Sequence, residues 1–323
     1  MSEPTPSPPS ASRKPRRVSR WGDRIFLALV VIATGAIIAL MVALFVVLIY
    51  GARASIQTVG WAFLFTKVWS PATNVYGIVP QLVGTLVTSA IALLIAIPLG
   101  VGAAIFLTQQ APGWLRAPVS QLIEMLAAIP SVIYGFWGLI VLVPLMRNVG
   151  EPILYTYLGW TGLFSGPEYG LGVITASLVL SVMAIPTVTA ISRDSMAAVP
   201  RSQVEAALSI GGTDWEVTRR AVLPYARSGI IAGIVLGLGR ALGETMAVTL
   251  TIGNNNILPT SLFSLGQTIP SLIANDFFEA ATPLEIPAML EAALILLIIT
   301  LSINLGARAV LLRFQAGRGV GAE

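Results

Sequence analysis

Arg240 and Glu244 are the residues of this chain whose types and spacing most directly suggest chemistry. They stand four apart inside a run, 228–252, that carries no other charge. Residues four apart on a helix share a face, so the two side chains can pair. A charge at mid-bilayer costs about 2.5–3.5 kcal/mol on insertion scales, so such residues face a cavity, a partner helix or one another. Two readings follow. In one, the pair is a self-neutralising structural bridge. In the other, Arg240 faces a polar path and offers its planar donors to two oxygens of an anion, with Glu244 holding or gating it. Around the pair, Gly229, Gly233 and Gly237 repeat every fourth residue, as do Gly239 and Gly243. Such small faces let a helix pack closely on another.

Other chemistry is excluded by composition. The chain has neither cysteine nor histidine, which removes thiolate and imidazole metal sites, disulfides, and nucleophile–histidine arrangements. No metal ligand and no catalytic residue is expected. The two lysines are Lys14 and Lys67, and neither lies in the glycine-rich setting of a phosphate-binding loop. If ATP drives this protein, another polypeptide binds it with Mg and hydrolyses it. The pI of about 9.7 does not signal nucleic acid, because the basic residues flank apolar runs instead of forming one face.

The elements that position Arg240 and Glu244 must be membrane helices. Of 323 residues, 55% are hydrophobic and 11% charged, with mean hydropathy +0.84, where soluble domains carry roughly 25% charged residues. We expect an all-α integral membrane protein with about six spans, at 25–50, 80–107, 121–146, 170–192, 228–252 and 288–312. Each is long enough for a hydrocarbon core of about 30 Å. Pro98, Pro130 and Pro186 inside them imply bent, packed helices. Ala52-Arg53-Ala54 fits a signal-peptidase site, but the preceding run exceeds a signal core, so it is read as a retained helix. Fifteen of the nineteen Lys/Arg then fall on one set of connecting segments and three on the other. The positive-inside rule places both ends in the cytoplasm. The outer segments carry Glu151, Glu168, Asp276, Glu279 and Glu285, with Trp61, Trp69 and Trp160 suited to the interface. The expected divisions are a basic Pro/Ser-rich tail at 1–24, a first helix and outer loop at 25–79, a transmembrane domain at 80–312, and a C-terminal tail at 313–323.

The longest inner connection, 193–227, is strongly patterned. Ser202-x-x-Glu205 reads as a capping box that starts a short helix, stopped by Gly211-Gly212. Thr213-x-x-Glu216 reads as a second capping box, starting a helix that ends near Pro224. Two capped helices about a Gly-Gly turn make a rigid knob, either an ordinary loop or a docking element.

Glu205-Ala206-Ala207, Gly211 and Leu223-Pro224 match the cytoplasmic signature of permease subunits of bacterial ABC importers at six of seven fixed positions. Ala221 stands where isoleucine is usual. The stretches 128–138, 237–248, 253–263 and 271–275 resemble the permease subunits of the phosphate-specific importer, and most closely the first of its two permeases, over roughly 75–312. The resemblance implies a type I ABC importer permease fold in the bacterial inner membrane, with 202–224 as the coupling helix that docks on a separate ATPase. It implies four partners besides lipid: a second permease, an ATPase dimer, an extracytoplasmic phosphate-binding protein, and phosphate passing Arg240 and Glu244. Permeases for sulfate or molybdate, and a self-contained secondary transporter, are the rival readings. The absence of an internal repeat and the docking knob both count against the last.

Overall fold

The computed structural model describes residues 20–316, with side chains placed over 21–309. The expected tails at 1–24 and 313–323 lie largely outside those residues. The chain divides into two units, 1–47 and 48–323. What is described of the first is one helix with almost every side chain exposed, including Ile25, Leu29, Ile37 and Val46. An apolar helix of this kind requires lipid as its solvent. It is the start of α1 (Arg20–Thr58), whose last turns from Leu48 belong to the second unit.

In the second unit follow α2 (Val79–Gln110), α3 (Gly113–Ala128), α4 (Ser131–Thr161), α5 (Val173–Ala197), α6 (Arg201–Ser209), α7 (Asp214–Leu242), α8 (Met246–Thr249), α9 (Ile269–Asp276) and α10 (Glu285–Ala316). With α1, six helices among the described residues are long and apolar enough to cross a membrane: α1, α2, α4, α5, α7 and α10. The protein is a multi-pass, all-helical membrane protein. The central element is α5, against which α2, α3 and α7 all pack. Most of α5 is buried, and small side chains permit the close approach. A Cβ at Gly233 would stand 3.1 Å from Ile191, one at Gly237 would stand 3.1 Å from Val188, and one at Gly229 would collide with Ser195. The small face of α7 therefore packs on a helix of its own chain. Nothing lies within 4 Å of a Cβ at Gly239, so the 239/243 pair is not part of that contact.

The third span differs from expectation. The apolar run 121–146 is split at Ile129-Pro130, both extended (ψ 130° and 137°). Proline disfavours helical backbone in the residue before it, so the run breaks into α3 and a membrane helix beginning at Ser131. That helix continues through π-helical turns at Gly138–Leu142 and Met146–Gly150, and takes in Arg147 and Glu151, which the charge pattern assigns to an outer loop. Tyr134 bridges the break, its hydroxyl donating to the Leu126 carbonyl at 2.8 Å. Trp69 is also corrected. It is buried, stacked edge to face between Phe63 and Tyr76, whereas Trp61 and Trp160 are exposed.

Candidate functional site

Between α5 and α7 the chain forms the patterned knob. Its turn is built as the glycines require. Gly211 has φ +86°, a left-handed conformation that glycine adopts without Cβ strain. Its N–H donates to the Leu208 carbonyl at 2.9 Å and that of Gly212 to Ala207 at 3.3 Å, the paired bonds of a Schellman end. The second capping box is present. Thr213 N–H donates to Glu216 Oε2 at 3.1 Å, and Glu216 N–H donates to Thr213 Oγ1 at 3.4 Å. The first is not. Pro200 occupies the N-cap position of α6, no side chain caps that helix, and Ser202 lies inside its first turn. Proline pre-sets the backbone at the helix entrance, which makes the serine cap dispensable.

The second helix does not end near Pro224. It is the start of α7, which runs on unbroken through a π-helical turn at Thr218–Val222 directly before Leu223-Pro224. A wider turn at that point relieves the clash between the proline ring and the preceding carbonyls. The knob's foot is thus continuous with a membrane helix. Glu205, Ala206 and Gly211 are exposed and Ala207 is half-buried. Ala207 and Gly211 line a recess of about 200 Å³ with Ile210, Gly212, Glu216, Val217 and Arg220. Leu223 points the other way, packing on a cluster of Ala104, Met196, Val199, Val222 and Ala226. Two apolar side chains that the sequence reading passed over stand out here. Ile210 is 86% exposed and Trp215 55% exposed, large apolar surface of the sort that interfaces bury.

Arg240 and Glu244 do not share one helix face. α7 stops at Leu242, Gly243 ends it, and Glu244 lies in the break before α8. Glu244 Oε1 accepts from the Ala247 N–H at 3.4 Å, capping α8 as a carboxylate at a helix start does. Among the described residues no Arg240–Glu244 ion pair forms. The two still line one recess with Leu180, Met183, Ala184 and Ala241, too narrow to admit a water molecule. The self-neutralising bridge is therefore not what the structure builds.

Beyond the break, the segment 250–268 folds back over the ends of α2 and α5. The first N–H groups of α5 have no partner in their own helix, and this segment supplies carbonyls instead. Gly172 donates to Thr251 at 3.1 Å, Val173 to Ser264 at 3.2 Å and Ile174 to Leu262 at 2.9 Å. On the other side, Ile269 N–H donates to Thr85 Oγ1 at 2.9 Å, and Gln81 reaches Asn256 and Gln267. A Cβ at Gly84 would collide with the Gln267 carbonyl. Gln81 was legible only as one amide in an apolar run. Glu151 is a second buried anchor, its Oε2 accepting from the Gly170 N–H at 3.0 Å.

Comparison with known proteins bears on what this arrangement belongs to. Among solved structures, a bacterial ABC transporter involved in the import of the acidic polysaccharide alginate aligns over 91% of this chain and 98% of its own, with TM-score 0.60 and 19% identity. The methionine ABC transporter MetNI in an inward-facing conformation aligns over 72% of this chain and 93% of its own, with TM-score 0.53 and 16% identity. These likenesses show the fold. The phosphate transport system permease protein PstC of Mesorhizobium japonicum is 44% identical over 92% of this chain and 92% of its own length. Its counterpart in Pasteurella multocida is 47% identical over 87% and 88%. Residues 96–315 match the family model of binding-protein-dependent transport system inner membrane components. With the knob and the recess both inside that match, the chain belongs to the family of binding-protein-dependent transport system inner membrane components.

Proposed function

We propose that this chain is a permease subunit of an ATP-driven phosphate importer, contributing half of a translocation path and itself catalysing no reaction. One observation carries the choice of phosphate: identity of 44% and 47% to phosphate transport system permease proteins over most of both chains. The other half of the path comes from a second permease chain. A pair of ATPase subunits, which bind ATP and Mg, docks on the 202–224 knob, and a phosphate-binding protein delivers substrate on the opposite side. Both chain ends face the cytoplasm, an orientation supported by the excess of Lys/Arg on the knob side. Arg240 is the oxyanion contact, and its support is a guanidinium whose nearest acid in sequence is engaged as a helix cap.

In this reading, ATP-driven closure of the ATPase pair draws the knobs of the two permeases together. α7 carries that displacement to Arg240, and the recess widens toward the binding protein. Phosphate uptake into cells that express this chain and its permease partner is expected to vanish when the ATPase subunits are removed. Continued uptake would replace the reading with that of a self-contained carrier.

A further inference from the structure

The segment 250–268 carries three consecutive asparagines, Asn254, Asn255 and Asn256, that the path described so far leaves unused. Each carboxamide is tied into the chain at one end only. Gln81 Nε2 donates to Asn256 Oδ1 at 2.9 Å and to Gln267 Oε1 at 3.4 Å. A carboxamide nitrogen carries two hydrogens, and here they meet two carbonyl oxygens, while Gln81 Oε1 is buried without a partner. Gln81 is fully buried, so it cannot turn away and release Asn256. Asn255 Oδ1 accepts from the Ile257 N–H at 3.1 Å, a local turn typical of asparagine. Asn254 is tied the other way round, its Nδ2 donating to the Thr249 carbonyl at 2.8 Å.

At Asn255 and Asn256 the acceptor oxygen is thus engaged by the protein, and Nδ2 is the open end. Among the described residues neither Nδ2 makes a hydrogen bond. Both side chains are half-buried, and two neighbouring amides on one held turn thus keep donors without protein partners. Unpaired donors favour anions, and those of neutral amides attract an oxyanion without the grip of a full cation. A station on a conduction path needs that balance, since substrate must leave as well as enter.

We propose that Asn255 and Asn256 form an outer oxyanion subsite, which receives phosphate before it reaches Arg240. Gln81 is its positioning residue. The inference rests on the reading of 250–268 as the outer end of an oxyanion path.

The test uses the whole complex in proteoliposomes with its binding protein, and measures phosphate moved and ATP hydrolysed together. Asn255→Asp and Asn256→Asp each keep the oxygen that Ile257 or Gln81 needs, remove both donors and repel an anion. Each is expected to lower phosphate moved per ATP about tenfold, the scale of one hydrogen bond to a charged acceptor, with ATP hydrolysis within about twofold of the parent. The loss should persist at high salt, which screens remote charges far more than contacts. A ratio equal to the parent's, a loss abolished by salt, or a loss that tracks failure to assemble would overturn the subsite. If the parent complex moves sulfate and not phosphate, the phosphate reading falls, and the subsite stands or falls on the same ratio measured with sulfate.

Discussion

A guanidinium in a membrane helix whose nearest acid in sequence is occupied as a helix cap must take its counter-charge from elsewhere. Solvent, a second chain or a passing anion can supply it. The i, i+4 spacing of Arg240 and Glu244 suggested mutual neutralisation, and the spacing itself was legible. What the sequence reading missed is that Gly243, the residue between Leu242 and Glu244, ends the helix. Glycine inside an apolar span is common enough that only the fold shows which one terminates it. For Arg240→Gln we expect phosphate uptake to fall roughly a hundredfold, the loss of a charged hydrogen-bond donor in a desolvated setting. Assembly with the other subunits should be intact, since no ion pair within this chain is lost. Uptake kinetics in vesicles identical to the parent's would take Arg240 out of the path.

At the scale of elements, local chemistry was readable where the chain obeys one rule at a time. The Thr213 capping box and the Gly211-Gly212 stop were legible because cap and turn residues act within three or four positions. Ser202 satisfied the same pattern and failed, because Pro200 had already taken the entrance of α6. The third span was misplaced because hydropathy runs straight through Ile129-Pro130, while backbone geometry does not. The turn also yields a test. Gly211 meets nothing within 4 Å of a Cβ yet sits at φ +86°, so its requirement is conformational and not steric. Gly211→Val should cost the knob about 1–2 kcal/mol of left-handed strain and abolish co-purification with the ATPase. Gly211→Asn, which tolerates that conformation better, should retain much of it. Equal recovery of both variants with the ATPase would show that the turn's shape is not what the partner reads.

On the scale of the whole molecule, composition and run length were enough to give the number of spans, since lipid solvation leaves few alternatives. The stitching of 250–268 onto α5 was not legible, because it is made by backbone groups, and its ties to α2 hang on Gln81, Gly84 and Thr85, which an apolar run hides. One titration belongs at this scale. Asp276, at the end of α9, has its carboxyl pushed up to about 6 by burial, with Glu285 and Glu279 adding to it. The folded chain therefore holds a proton over a range, from about pH 4 to 6, in which the unfolded chain releases it. Stability gained at low pH is lost as pH rises through that window. Asp276→Asn should raise the melting temperature of the purified complex at pH 7–8 by an amount equivalent to about 1 kcal/mol, discounted for the solvent that still reaches the group. The two melting curves should converge near pH 4, and a constant offset at all pH values would assign the effect to packing. Finally, the helix that begins at the knob and ends at Leu242 is a single lever of 29 residues, about 40 Å from foot to tip. Its only joint lies just past Arg240. In the proposed cycle, a stroke applied from below would swing the guanidinium and leave the Glu244 side of the joint behind. The distance between those two charges becomes the gauge on which the machine's position could be read.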